Sequence, residues 1–175
     1  MDTYRMWIDG RWADADSGMT FHTHNPATGD VVAEAPLGGA SDVDKAVAAA
    51  RAALPGWSMM SQSDRSAVVA RIAAAVREHA EELARLEVLE HGATATHAPM
   101  MMGFAAGNLE LAASGARTLM GQVLPAASSK GDAPGAGPST VAYMQREPVG
   151  VCALITPWNV PSLMIATKLG FCLAP

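Results

Sequence analysis

The sequence predicts an α/β fold, with helices packed on the beginning of a parallel sheet. Three observations carry that prediction. Short strands with tight turns open the chain, capped amphipathic helices fill its middle, and a doubly apolar strand followed by a turn and a helix closes it. The 175 residues suit one folded domain, and half are hydrophobic while 17% are charged, too apolar a balance for a disordered chain. Twelve Lys and Arg against 17 Asp and Glu leave a net charge of −5 without a run of like charge, so nucleic acid is not an expected partner. No stretch of ~18 residues is free of charge and proline, and the charged opening has no apolar signal region, so no membrane association is expected. Two cysteines are too few for a disulfide scaffold or a zinc site of paired CxxC motifs, and a reducing cytoplasm is the expected setting.

Tyr4-Arg5-Met6-Trp7-Ile8 reads as a strand, Asp9-Gly10 as a hairpin turn and Arg11-Trp12 as the start of the return. Asn25-Pro26-Ala27-Thr28-Gly29 is a second turn between strands at His22-Thr23-His24 and Val31-Val32-Ala33. Ser41 occupies an N-cap position, and Val43, Ala46, Val47, Ala50 and Leu54 repeat at helical spacing until Pro55-Gly56, where that helix is expected to stop. Caps at Ser61 to Asp64 open one longer helix running to His91-Gly92. Its inner stripe is Val68, Val69, Ile72, Val76, Ala80, Leu83 and Leu86, with Arg71, Arg77, Glu78, Glu81, Glu82 and Arg85 on the other side. Gly92 suits a left-handed C-cap.

A third helical segment, His97 to Gly121, is rich in small residues and Met, and its Gly103 and Gly107 are expected to let another helix approach closely. Lys130 to Pro138 reads as a loop, and its Gly131, Gly135 and Gly137 make no phosphate cradle, since they follow no strand and open no helix. Thr140 to Arg146 alternates as a half-exposed strand. Val151 to Thr156 is apolar on both faces, as a covered parallel strand would be, and Pro157-Trp158-Asn159-Val160-Pro161 then leads into a helix. Strand, turn and helix are the first parts of a βαβ unit.

The junction from Thr156 to Asn159 lies at the carboxyl end of that expected strand, where open α/β sheets bind ligands. Pro157 and Pro161 stiffen the turn, and Asn159 offers a neutral amide donor suited either to an oxyanion or to capping the following helix. His22 and His24 share a strand face without a third ligand nearby in sequence, so exposed strand histidines are expected there and no metal. His79 falls on the long helix, and His91, near its C-terminus, suits a helix-dipole partner.

The motifs Met6-Trp-Ile-Asp-Gly-Arg-Trp12, Asn25-Pro-Ala-Thr-Gly-Asp30, Asp42-Val-Asp-Lys-Ala-Val47 with Ala50-Arg51 and Trp57, and Arg146-Glu-Pro-Val-Gly150 leading to Ile155-Thr-Pro-Trp-Asn159 and Lys168 resemble the NAD(P)-dependent aldehyde dehydrogenase superfamily. The resemblance spans essentially the whole chain but only the amino-terminal portion of a family member. It implies strands and helices of the cofactor-binding domain over 1–129, a loop and oligomerisation-arm strand over 130–148, and the start of a Rossmann-type core over 149–175. It implies NAD or NADP as cofactor and oxidation of a small-molecule aldehyde to a carboxylic acid, through a cysteine thiohemiacetal and thioester, in a homo-oligomer when full length. Asn159 matches the family's oxyanion-hole asparagine. Ile155, Thr156, Pro157 and Trp158 match the cofactor-lining strand end and turn, and Lys168 a lysine linked to proton handling, where a snorkelling structural Lys would look the same.

The family's catalytic glutamate and cysteine motifs would both fall after Pro175. Cys152 and Cys172 do not stand in for the nucleophile and read as inert small hydrophobes, so the chain as given is expected to be inactive alone. A further departure is Glu90-His-Gly-Ala93, where the family usually has Lys after the Gly, in a structural corner. The competing reading is a non-catalytic helical interaction module or a relic fragment.

Overall fold

The computed structural model describes residues 2–124 and 142–175, so the expected loop at 130–138 lies outside the described residues. β1 (Asp2–Thr3) precedes a hairpin of β2 (Met6–Ile8) and β3 (Arg11–Ala13), closed by Asp9 and Gly10 at φ 54 and 71. Positive φ at both central residues is what a two-residue hairpin turn requires. Trp7 faces Trp12 across it, edge to face, with ring centroids 4.8 Å apart. β4 (Thr20–His24) runs antiparallel to β5 (Val31–Pro36), and β1 joins β5 in parallel to give the order β1-β5-β4. Between β4 and β5 the Asn25 side chain accepts the Ala27 amide at 2.9 Å and Gly29 sits at φ 78, so the turn is set by local chemistry.

α1 (Ala40–Ser58) departs from expectation at both ends. Gly39, not Ser41, is its N-cap, because the buried Asp42 carboxylate turns back to accept the Gly39 amide at 2.9 Å and also the Asp16 amide at 3.1 Å. The helix also continues through Pro55-Gly56. A proline forfeits its own amide but can still accept, and the Met59 amide closes the last turn on the Pro55 carbonyl at 3.2 Å. Its expected inner stripe is mostly on the surface: Val43 is 60% exposed, Ala46 and Ala50 are exposed, and only Val47 and Leu54 are half-buried. The helix finds its main neighbour among the described residues in β2, too small an element to cover that face.

The single long helix expected from Ser61 is two, α2 (Gln62–Glu78) and α3 (Ala80–His91), broken at His79 with φ −98 and ψ 15. Ser61 does cap α2, accepting the Asp64 amide, and Gly92 ends α3 at φ 77. The break re-aims the apolar stripe. Val69 and Ala73 of α2 face α4 (His97–Ala116), whereas Ala84 of α3 packs with Ala98, Met101 and Met102 in a second cluster. α4 ends at Ala116 rather than Gly121, and beyond it β6 (Gln122–Leu124) pairs antiparallel with β7 (Ala142–Met144). Of the strand foreseen at Thr140 to Arg146, the described residues form Ala142–Met144 as strand and leave Gln145 and Arg146 outside it, and the partner is β6.

α5 (Pro161–Leu173) completes the core by lying across α4. The close approach expected at Gly103 and Gly107 is not made among the described residues, where nothing lies within 4 Å of a Cβ added at either position. It occurs at Gly170 of α5, where an added Cβ would sit 2.9 Å from the Ala112 Cβ and 3.3 Å from Leu109 Cδ2. Val151 to Thr156, expected as a buried parallel strand, forms no strand, and all of it but Thr156 is exposed. A strand exists only through hydrogen bonds to a neighbour, and no described strand lies beside it. Among the described residues no helix is long and apolar enough to cross a membrane.

Candidate functional site

The segment from Ile155 to Pro161 is a stiff turn held at both ends. Pro161 denies Val160 the right-handed helical region, and Val160 settles at φ 51 and ψ 47, a left-handed conformation that a β-branched residue rarely adopts. What holds it there is packing, because Val160 and Leu163 insert against Ala84, Ala98, Met101 and Met102 between α3 and α4. The first turn of α5 is then fastened by Glu87 of α3. Its carboxylate is 4% exposed, Oε1 accepts the Ser162 amide at 2.9 Å, and Oε2 takes a short contact from His91 Nε2. A buried anion at a helix N-terminus meets the positive end of the dipole and satisfies an amide with no partner inside the helix.

Upstream, the Lys168 ammonium donates to the Ile155 carbonyl, tying the extended segment to the side of α5. Asn108 of α4 donates to Thr167 at 2.7 Å, and Thr167 in turn donates to the Leu163 carbonyl at 2.8 Å, so α5 itself is fixed to α4. The result is a protruding turn on a rigid base. Trp158 is 80% and Ile155 82% exposed, and Asn159 is exposed with its side-chain amide free of any hydrogen bond among the described residues.

Of the residues singled out in the sequence, Ile155 and Lys168 are in direct contact, and Thr156, Pro157, Trp158 and Asn159 follow on the same turn. Asn159 does not cap α5: the residue at that position is Val160, and the amide of Ser162 is satisfied by Glu87 instead. Glu87 escaped the sequence reading, although a signal was present. It lies one turn after Leu83 on the apolar stripe and one turn before His91, an acidic residue where the pattern asks for an apolar one.

A cavity of about 470 Å³ lies beside this base, lined by Trp57, Arg65, Lys168, Phe171 and both cysteines. Cys152 is exposed rather than buried in a strand, and Cys172 is partly buried. Burial pushes the Cys172 thiol above its ordinary value, and the neighbouring Cys152 adds to the shift. His22 and His24 are exposed on β4, with ring centroids 6.5 Å apart.

The profile of the aldehyde dehydrogenase family matches residues 12–175. The glutarate-semialdehyde dehydrogenase of Pseudomonas aeruginosa is 35% identical over 168 residues, which is 96% of this chain and 33% of that protein. Human mitochondrial 10-formyltetrahydrofolate dehydrogenase is 34% identical over 98% of this chain and 18% of its own length. Among solved structures, an NAD-dependent aldehyde dehydrogenase from Sinorhizobium meliloti superposes with a TM-score of 0.86 at 36% identity, over 99% of this chain and 33% of that one. Betaine aldehyde dehydrogenase of Staphylococcus aureus in complex with NAD+ gives 0.85 at 32% identity, over 97% of this chain and 33% of that one. The chain spans a third or less of the length of these relatives.

Proposed function

The chain belongs to the aldehyde dehydrogenase family, and from that premise we propose that it supplies the oxyanion donor and part of the cofactor wall for NAD(P)-dependent oxidation of an aldehyde to a carboxylic acid. The observation that carries the reading is the exposed Asn159 amide, unspent on any described partner and raised on a turn clamped by Val160, Glu87 and Lys168. A donor whose support is fixed in advance loses little by reorganisation when charge develops on an aldehyde oxygen.

The donor set suits a dinucleotide. Ile155 and Trp158 present exposed apolar surface for a planar ring system, Thr156 and Pro157 bridge them, and together the four would hold the cofactor. When bound, NAD or NADP supplies the hydride acceptor. Lys168 holds the Ile155 carbonyl in place and leaves its remaining protons facing solvent, a position from which it can pass a proton. Neither cysteine sits on the turn, and the nucleophile and general base are assigned to the later motifs of the family. The full-length protein is a cytoplasmic homo-oligomer on this reading, with the β6–β7 ribbon as part of its arm.

The test joins these 175 residues to the remaining length of the glutarate-semialdehyde dehydrogenase they resemble and follows NAD and NADP reduction with a panel of aldehydes. The chimera is expected to turn over while the chain alone is not. Asn159→Ala in the chimera should lower kcat by about 10²–10³-fold with little change in cofactor affinity. Turnover within a factor of a few of the parent would remove Asn159 from the oxyanion hole.

A further inference from the structure

Cys152 and Cys172 are far from the Asn159 turn in role but close to each other in space. Lys168 and Cys172 are one turn apart on α5 and so share a face of that helix. Lys168 grips the Ile155 carbonyl, and Gly150, Cys152 and Leu154 line one cavity together with Lys168, Phe171 and Cys172. Cys152, three residues before Ile155, thus shares a cavity wall with Cys172. Both thiols are free and line one cavity. Cys152 is the accessible member, its Sγ 3.7 Å from the Gly150 carbonyl, in a segment without regular structure.

We infer that Cys152 and Cys172 form a redox-sensitive dithiol that a peroxide closes into an intramolecular disulfide, stapling the segment ahead of the Asn159 turn to α5. The accessible Cys152 thiolate attacks one peroxide oxygen. The O–O bond breaks, that oxygen stays on sulfur as a sulfenic acid, and the other leaves as water after taking a proton. The Cys172 sulfur then attacks the Cys152 sulfur. The S–S bond forms as the S–O bond breaks, and the hydroxyl leaves with the Cys172 proton as a second water. Two thiols and one hydrogen peroxide thus give one disulfide and two waters. Cys152 is the exposed thiol and Cys172 the partly buried one, which assigns the first attack to Cys152 and the resolving step to Cys172. In a reducing cytoplasm the bond is transient, since cellular thiols return it to the dithiol. None of this depends on dehydrogenase activity.

The test treats the reduced chain with a small excess of hydrogen peroxide, alkylates remaining thiols under denaturing conditions, and measures intact mass and digest fragments. A monomer that has lost two hydrogen atoms, whose Cys152 and Cys172 fragments are joined until a dithiol reductant separates them, is the expected result. In Cys172→Ser the sulfenic acid should persist on Cys152, where dimedone traps it. The inference is overturned if both thiols of the unmodified chain remain alkylatable, if only intermolecular disulfides form, or if Cys152 over-oxidises without a cross-link.

Discussion

Val160 and Glu87 act on the same few atoms from opposite directions. Holding a β-branched residue at positive φ costs on the order of 1–3 kcal/mol. The apolar contacts of Val160 between α3 and α4, together with the Glu87 cap, offset that strain. Glu87→Ala removes the acceptor of the Ser162 amide and strips His91 of its partner, so it should destabilise the chain by roughly 1–3 kcal/mol, the cost of leaving a half-buried amide unsatisfied. Glu87→Gln keeps an oxygen at that point and should lose clearly less. Urea unfolding midpoints decide the matter, and equal losses would show that the charge rather than the cap matters. Asn159→Ala, by contrast, should leave those midpoints within about 0.5 kcal/mol of the parent, as for other exposed side chains without a partner. Removing a true helix cap would cost about 1 kcal/mol, so this measurement also separates the two roles the residue type allowed in the sequence.

Between helices, α4 and α5 cross closely at Gly170. Gly170→Ala gains up to ~1 kcal/mol of helix propensity, but its Cβ would meet the Ala112 Cβ at 2.9 Å, and that carbon is fixed to backbone. Overpacking of this kind costs about 1–3 kcal/mol, so the net change should be destabilising, with Gly170→Val worse, and thermal unfolding would report both. α2 and α4 are also joined by Arg77, whose Nε and Nη2 donate to the two Glu110 oxygens at 2.9 and 2.8 Å. That pairing holds the Glu110 carboxyl below its ordinary range, so the ionised form is favoured by folding. Its contribution is therefore present at neutral pH and lost as pH falls through the lowered folded value. Glu110→Gln should be slightly less stable than the parent at neutral pH and converge with it in acid, a comparison that unfolding midpoints across a pH series would make. The elements readable in the sequence were those whose instructions are local: the Asp9-Gly10 turn, the Gly29 turn, the Ser61 cap and the Gly92 stop. Those misread depended on partners. The stripe of α1 and the run from Val151 to Thr156 are apolar enough to be buried, but burial needs a neighbour that periodicity does not name. Gly103 and Gly107 have the spacing for close packing, yet Gly170 makes the contact, because the crossing point is set by where α5 is fastened. For the site, the turn itself was legible from its prolines, whereas the carboxylate that secures it comes from another helix.

Over the whole molecule, the described surface carries exposed apolar side chains where the expected core features failed to find partners. Val43 lies open on α1, Val149, Ile155 and Trp158 stand out around the junction, and Val123 and Tyr143 are exposed on the two-stranded β6–β7 ribbon. Exposed apolar surface of this kind draws molecules together, and unpaired strand edges give the contact a hydrogen-bonded register. The net charge of −5 opposes association through long-range repulsion, which salt screens within about 8 Å at physiological ionic strength. Short-range apolar contact is not screened. The 175-residue chain should therefore associate with rising concentration, and more strongly as salt is added, whereas association through surface ion pairs would weaken with salt. Replacing Ile155 and Val149 by Ser removes two exposed side chains that touch neither core cluster, so it should reduce the scattering mass without lowering the unfolding midpoint. Light scattering over a concentration series at two salt levels tests the argument. A sharp monomer at every concentration, or association that salt dissolves, would show that these apolar side chains are covered in solution and that the junction is less open than its exposure indicates.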